Sequence, residues 1–121
     1  MKILIVDDSK AMRMIVRRTL RQAGYGDVEC LEASDGSDAL RQVGEEVPDL
    51  IMSDWNMPEM TGIDLLKTLN DQGIRVKFGF VTSESTGEMK ASALGSGASF
   101  FITKPFTAEA FQTALQPLLG A

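Results

Sequence analysis

The chain has 121 residues, of which 24% are charged and 44% hydrophobic, and its formal net charge is −5. This length suits a single globular domain, and the acidic balance argues against a nucleic-acid-binding surface. The absence of histidine and the single cysteine exclude an intrachain disulfide and any metal site built from those residues. No apolar run approaches the ~20 residues of a membrane span, and the first is too short for a signal peptide. We therefore expect a cytoplasmic protein.

Apolar runs and helical patterns alternate along the first half of the chain. The run at residues 3–6 predicts a strand that is covered on both faces. Ser9 stands where a helix N-cap is expected, and Gly24 stands where that helix closes. A second strand is predicted at residues 28–33, followed by a short helix at 37–43.

The same alternation continues to the end of the chain. The next predicted elements are a strand at 50–53, a helix that opens at Gly62, a strand at 77–81, a strand at 99–102 and a helix capped by Thr107. Residues 84–97 hold few large apolar side chains and predict a loosely packed helix. Five strands alternating with five helices predict one α/β domain over residues 1–121 with right-handed crossovers and no output domain.

Charged and hydroxyl side chains follow four of the predicted strands. Asp7 and Asp8 follow the first strand, Asp54 the third, Thr82 the fourth and Lys104 the fifth. In an open parallel sheet, ligands bind in the crevice beyond the carboxyl ends of the strands. The sequence therefore predicts three carboxylates, a hydroxyl and an ammonium at one edge of the sheet.

This set of groups favours metal-assisted chemistry on a phosphoryl group. Three neighbouring carboxylates repel one another, and a divalent cation relieves the repulsion. Their hard oxygens suit Mg²⁺, or Mn²⁺ as a substitute, with Asp8 and Asp54 as direct ligands and Asp7 binding directly or through water. A carboxylate nucleophile beside a metal, an ammonium and a hydroxyl is what aspartyl phosphorylation requires, so Asp54 is the predicted acceptor, with Lys104 and Thr82 on the phosphoryl oxygens. Each residue alone has an ordinary explanation as a turn or cap former. Their coincidence at successive strand ends supports the prediction.

Basic residues crowd the first predicted helix, despite the negative net charge: Lys10, Arg13, Arg17, Arg18 and Arg21. We interpret this cluster as a solvent-exposed helix face.

The ordered set of residues, together with the segment Lys104-Pro105-Phe106, resembles the receiver domains of two-component response regulators over essentially the whole chain. The stretches DDSKAMRMIV, SDWNMPEMTGIDLLKT and KPFTA are most similar to the stand-alone chemotaxis regulators of that family. The resemblance implies a doubly wound, flavodoxin-like (βα)5 fold. Its five-stranded parallel sheet would have the order 2-1-3-4-5, with helices on both faces.

The resemblance also assigns roles to the predicted site. Asp54 would accept a phosphoryl group from the phosphohistidine of a partner histidine kinase. Mg²⁺ would be held by Asp8, Asp54 and the backbone carbonyl of Asn56, with Asp7 helping. Lys104 would pair with the phosphoryl group.

Further residues are implied to tune the site. Asn56 and Glu84 flank the acceptor where family members set the rate of dephosphorylation, and both match the chemotaxis pattern, which implies a short-lived phosphorylated state. The bond between Lys104 and Pro105 is expected to be cis, a form that costs less before proline than elsewhere.

The resemblance implies a switch, but the chain departs from the chemotaxis pattern there. Thr82 would move toward the phosphoryl group and draw Phe101 inward, although chemotaxis regulators usually carry a tyrosine at this position. Ala114 stands where those regulators present a lysine to partners, and Thr103 replaces a small aliphatic residue. The fold and phosphorylation chemistry therefore transfer, whereas the flagellar-motor partner does not.

The leading hypothesis is a monomeric signalling module that catalyses only its own phosphorylation and dephosphorylation. It would bind a downstream protein through the face made by its fourth helix, fifth strand and fifth helix. A phosphate sink, a relay intermediate without a motor partner and a receiver-like adaptor that takes no phosphate remain as alternatives.

Three enzyme or carrier classes fit less well. An aspartate-nucleophile phosphatase needs a second acid two residues after the nucleophile, where this chain has Asn56. A flavin carrier needs a hydroxyl- and glycine-rich loop after the first strand, where Asp7 and Asp8 would repel the flavin phosphate. A P-loop enzyme is excluded because its glycine-lysine motif does not occur.

Overall fold

The computed structural model describes residues 1–119, and within them five strands alternate with five helices. In chain order these are β1 (Lys2–Val6), α1 (Lys10–Gln22), β2 (Glu29–Ala33), α2 (Gly36–Glu45), β3 (Leu50–Ser53), α3 (Gly62–Asp71), β4 (Lys77–Thr82), α4 (Gly87–Gly95), β5 (Phe100–Thr103) and α5 (Ala108–Leu119). All neighbouring strands pair in parallel, in the order β2-β1-β3-β4-β5. The predicted fold class and strand order are confirmed. Residues 120 and 121, the end of the predicted domain, lie outside the described range.

Capping side chains set the helix boundaries that the sequence predicted. The hydroxyl of Ser9 accepts a hydrogen bond from the backbone N–H of Met12 at 3.2 Å, and α1 begins there. Gly24 follows the end of α1 with a φ of 98°, a conformation that only glycine adopts readily. Thr107 accepts from the backbone N–H of Ala110 at 3.1 Å at the start of α5.

Two helices differ in length from the prediction, whereas each strand end lies within one residue of it. α2 is longer than residues 37–43 at both ends: Asp35 caps its N-terminus, so that it begins at Gly36, and it continues to Glu45, after which Glu46 is the C-cap. α4 is shorter than residues 84–97 because Thr86 caps it only at Gly87. Ala93 is the one buried residue of α4, in keeping with the predicted loose packing.

The core lies on both faces of the sheet. Along β1, Leu4 and Val6 face the cluster that includes buried residues of α2, α3 and α4, whereas Ile3 and Ile5 face the cluster built with α1 and α5. Successive strand side chains point to opposite faces. This strand is a continuous apolar run because both of its faces are covered.

One close approach between strands constrains the sheet near β5. Gly79 of β4 pairs with Phe100 of β5. A Cβ atom on Gly79 would lie 2.1–2.3 Å from three atoms of the Phe100 ring, so the ring occupies the space that a side chain would need. None of the helices within residues 1–119 is both long and apolar enough to cross a membrane.

Candidate functional site

The three predicted carboxylates meet beyond the carboxyl ends of β1 and β3. Asp7 directly follows β1 and Asp54 directly follows β3, and the backbone N–H of Asp54 donates to the carbonyl of Val6 at 2.9 Å. One carboxylate oxygen from each of Asp7, Asp8 and Asp54 lies within 4.8 Å of the others. Asp7 is buried, Asp54 is partly buried and Asp8 is exposed, so the cluster opens to solvent on the side of Asp8.

Lys104 brings a positive charge to this cluster from the end of β5. Its Nζ lies 3.2 Å from Asp7 Oδ2 and 3.5 Å from Asp54 Oδ2, and its side chain is only 14% exposed. The backbone N–H of Lys104 donates to the carbonyl of Thr82 at 2.8 Å, and the peptide bond to Pro105 is cis. The ammonium thus contacts two of the three acids and offsets part of their repulsion.

Burial raises the pKa of the Asp7 carboxyl above its ordinary value. The backbone N–H of Ser9, which donates to Asp7 Oδ1 at 2.9 Å, and the Lys104 ammonium both lower the pKa, while the charge on Asp54 raises it. The net effect is that the charged form of Asp7 is disfavoured in the metal-free protein. A cation in the cluster would relieve that effect.

The variant Asp7→Asn is expected to be more stable than the wild type at neutral pH when divalent cations are absent. Because the folded-state pKa of Asp7 is raised, its contribution to stability is full below the unfolded pKa and is lost as the pH rises through the folded pKa. An amide suffers no such loss. The gain in the free energy of unfolding should therefore be largest at neutral pH and shrink on acidification.

Urea unfolding at several pH values in chelator measures this difference. Asp71→Asn, which changes an exposed carboxyl at the end of α3, is the matched control and should stay within about 0.5 kcal/mol of the wild type. An Asp7→Asn protein no more stable than the wild type at neutral pH would contradict the expectation.

Thr82 supplies a hydroxyl with unused hydrogen-bonding capacity. It ends β4, the strand between β3 and β5, and its residue is fully buried. Its Oγ1 has no hydrogen-bond partner among residues 1–119. Buried polar groups nearly always have a partner, so an unpaired hydroxyl at the edge that carries the acidic cluster is consistent with a ligand oxygen.

Aromatic rings connect the acceptor candidate with β5. The backbone N–H of Trp55 donates to Asp54 Oδ1 at 2.8 Å, and the Trp55 ring packs against Phe80 and Phe101 with centroid separations of 5.0 and 6.3 Å. Phe101 is half-buried and its ring lies 6.0 Å from that of Phe80. The Nζ of Lys90, on α4, lies 6.0 Å from the centroid of Phe101. A movement of the Phe101 ring would therefore alter its packing against Trp55 and its contact with Lys90 on α4.

The remaining predicted residues lie in the loops beside the cluster. Asn56 is exposed in the loop after β3, and Glu84 is exposed in the loop after β4. The first loop is pinned by Gly62, whose N–H donates to the carbonyl of Trp55 at 2.8 Å. A Cβ on Gly62 would lie 2.2 Å from the carbonyl oxygen of Asp54, so this close return of the loop requires glycine.

The interpretation of the basic residues of α1 as a solvent-exposed face is wrong for Arg13. Arg13 donates through Nη1 to the carbonyl of Asp7 at 2.6 Å and through Nε to Glu32 at 2.8 Å, and its side chain is 14% exposed. Arg17 also pairs with Glu32, at 2.7 Å, but stays 44% exposed. The cause is that Glu32, on the edge strand β2, lies within hydrogen-bond distance of both arginines. An acid within the β2 run was the available signal, but the sequence does not define its distance from α1.

The sequence of this chain matches the response regulator receiver domain over residues 3–116. The chain therefore belongs to the response regulator receiver family, a family of signalling switches.

Among its relatives are chemotaxis proteins of two bacteria. Chemotaxis protein CheY1 of Helicobacter pylori is 37% identical over 123 residues, covering 99% of this chain and 98% of the relative. Chemotaxis protein CheY-3 of Vibrio cholerae is 39% identical over 120 residues, covering 98% of this chain and 91% of the relative. The crystallised chemotaxis protein CheY4 of Vibrio cholerae aligns with a TM-score of 0.84 at 37% identity, covering 98% of both chains. The predicted resemblance to chemotaxis receivers is confirmed.

Proposed function

We propose that this chain is a phosphorylation-switched receiver in which Asp54 accepts a phosphoryl group from a phosphohistidine of a histidine kinase. A carboxylate oxygen of Asp54 would attack phosphorus, the P–N bond would break, and the imidazole would leave. The observation that carries the proposal is the meeting of three carboxylates within 4.8 Å, with the Lys104 ammonium 3.5 Å from the Asp54 carboxylate. Such an arrangement offsets the charge of the incoming phosphoryl group.

The donor set of the cluster fits Mg²⁺, with Mn²⁺ as the substitute. Carboxylate and carbonyl oxygens are the ligands that hard divalent cations prefer. Asp8 and Asp54 would bind directly, the carbonyl of Asn56 would add a ligand, and Asp7 would help. When bound, the ion would neutralise charge on the acceptor and on the phosphoryl oxygens.

Two side chains of the chain itself would hold the phosphoryl group. Lys104 already lies between Asp7 and Asp54 and would pair with one phosphoryl oxygen. Thr82 has a buried hydroxyl without a partner and would donate to another oxygen. Preorganised donors of this kind stabilise developing charge without reorganising at the moment of reaction.

The switch would run from Thr82 to Phe101. A shift of Thr82 toward the phosphoryl group would leave room at the end of β4, and Phe101 would move farther inward against Phe80 and Trp55. Phe101 has no hydroxyl, so its effect on a partner would come from packing alone. The partner would be a downstream protein that binds the face formed by α4, β5 and α5.

The phosphorylated state would end by hydrolysis, whose rate Asn56 and Glu84 would tune. Both side chains are exposed in loops that follow β3 and β4, beside the acceptor edge. Water can therefore reach this side of the cluster. We propose a monomeric receiver in the cytoplasm that acts in chemotaxis or motility. A phosphate sink, a relay intermediate and a non-phosphorylated adaptor are the alternatives.

The test is the intact mass of the protein after incubation with a small acyl-phosphate donor, with and without Mg²⁺. One added phosphoryl group that depends on Mg²⁺ supports the proposal. No added mass, even after an early quench, supports the adaptor instead. A mass gain that persists in chelator would remove the metal from the reaction.

The variant Lys104→Ala is expected to keep Mg²⁺ binding but to lose the change at Phe101 on phosphorylation. Removing one charged donor to the phosphoryl group should also slow uptake by about 10²-fold. Amide chemical shifts around Phe101, recorded before and after phosphorylation, measure the coupling. Lys67→Ala, which removes an exposed lysine from α3, is the matched control. Wild-type shifts in phosphorylated Lys104→Ala would refute the coupling role.

A further inference from the structure

Arg13 joins the edge strand β2 to the backbone of Asp7. Its Nε donates to Glu32 Oε1 at 2.8 Å, and its Nη1 donates to the carbonyl oxygen of Asp7 at 2.6 Å. The side chains of Arg13 and Glu32 are 14% and 28% exposed, so both are largely withdrawn from solvent. Arg17 donates to the other oxygen of Glu32 at 2.7 Å, so each oxygen of that carboxylate accepts from one arginine.

The backbone at Asp7 carries two of the three carboxylates of the acidic cluster, those of Asp7 and Asp8. The N–H of Asp7 donates to the carbonyl of Ala33 at 3.1 Å, while its carbonyl accepts from Arg13. Asp8 follows Asp7 directly and its side chain is exposed. The position of the Asp8 carboxylate therefore depends on the backbone of this segment. The segment between the end of β1 and the N-cap of α1 could adopt other backbone conformations. The hydrogen bond from Arg13 to the carbonyl of Asp7 restricts them.

We infer that Arg13, anchored by Glu32, is a positioning residue that fixes the Asp7–Asp8 segment in the geometry that the acidic cluster needs to bind a metal ion. The inference deepens the proposed function and rests on it for the identity of the metal. A guanidinium suits the task because its rigid fork donates to a carbonyl and a carboxylate at once. An ammonium in its place could not span both acceptors with the same geometry.

Charge and position predict opposite effects on metal binding. Arg13 carries a positive charge next to a site for a cation, so removal of that charge alone should strengthen Mg²⁺ binding. Loss of a positioning contact should weaken it, because groups that orient metal ligands typically contribute about 10–100-fold to affinity. The sign of the change therefore separates the two roles.

The experiment is a Mg²⁺ titration followed by the fluorescence of Trp55, on the wild type, Arg13→Gln and Arg17→Gln. Arg17 shares the Glu32 carboxylate but does not contact Asp7, which makes it the matched control. We expect about tenfold or greater weakening in Arg13→Gln and a change within about twofold in Arg17→Gln. Arg13→Lys keeps the charge without the fork and should also bind more weakly. Unchanged or tighter binding in Arg13→Gln would overturn the inference.

A second readout needs no metal. Amide hydrogen exchange at residues 8–12 in chelator should be faster in Arg13→Gln than in Arg17→Gln, and equal rates would count against positioning. If Arg13→Gln does not fold, Arg13→Lys, which keeps the charge but not the fork, takes its place: it should still weaken Mg²⁺ binding, and unchanged affinity there would overturn the inference. A wild type that binds no Mg²⁺ would refute the metal part of the proposed function, while the exchange rates would still decide the role of Arg13.

Discussion

Replacing Asp54 with asparagine is expected to abolish the gain of a phosphoryl group while the protein stays folded. An amide offers no anionic oxygen to attack phosphorus, so uptake should fall by at least about 10³-fold, below detection by intact mass. The fold should persist because the amide oxygen can still accept the 2.8 Å hydrogen bond from the Trp55 N–H. The measurement is the mass of the variant after treatment with an acyl-phosphate donor and Mg²⁺.

The control for this prediction makes the same chemical change elsewhere. Asp71→Asn alters an exposed carboxyl at the end of α3 that is not part of the acidic cluster, and this variant should take up phosphate like the wild type. Circular dichroism establishes that both variants are folded. A wild-type mass gain in Asp54→Asn would place the acceptor at another residue.

Gly79→Ala is expected to destabilise the protein by about 1–3 kcal/mol, the usual cost of overfilling a packed core. The added Cβ would lie 2.1–2.3 Å from three atoms of the Phe100 ring, which is far inside contact distance. Without that clash, alanine in a strand would be favoured over glycine by roughly 0.5–1 kcal/mol. The free energy of unfolding in urea measures the net effect.

A double-mutant cycle tests the stated cause of that destabilisation. Phe100→Leu removes the ring, so Gly79→Ala in that background should no longer destabilise the protein. The interaction energy between the two positions should then fall in the range expected for residues in contact, about 0.5–3 kcal/mol. Additive effects of the two substitutions would show that the ring is not the obstacle.

The strands and their functional ends could be predicted because two simple patterns coincide. Buried parallel strands read as continuous apolar runs, as at residues 50–53, where the predicted and observed strand agree in full. The residue after such a run lies at the carboxyl edge of the sheet, so the placement of Asp7 and Asp54 at one edge follows from the fold class. The strand order did not follow from these patterns; it came from the family resemblance.

Contacts between elements could not be predicted in the same way. The pairing of Arg13 with Glu32 depends on how α1 lies against β2, and the sequence does not encode that distance in any local pattern. The closeness of Gly79 to the Phe100 ring depends on the register between β4 and β5. The apolar periodicity does not show the extra length of α2, because the residues added at its two ends, Gly36, Gly44 and Glu45, are not large apolar residues.

The weak attachment of α4 gives the domain an uneven distribution of stiffness. α4 buries only Ala93, whereas α3 buries five residues, and the neighbouring Leu94 is 57% exposed. Full burial of a large apolar side chain contributes about 1.5–3 kcal/mol, so displacing α4 requires far less free energy than displacing α3. Several positions of α4 relative to the sheet should then differ little in free energy. A change of charge at the strand ends would act by changing the fraction of molecules in each of these positions. The response of the domain would then be a gradual change in those fractions.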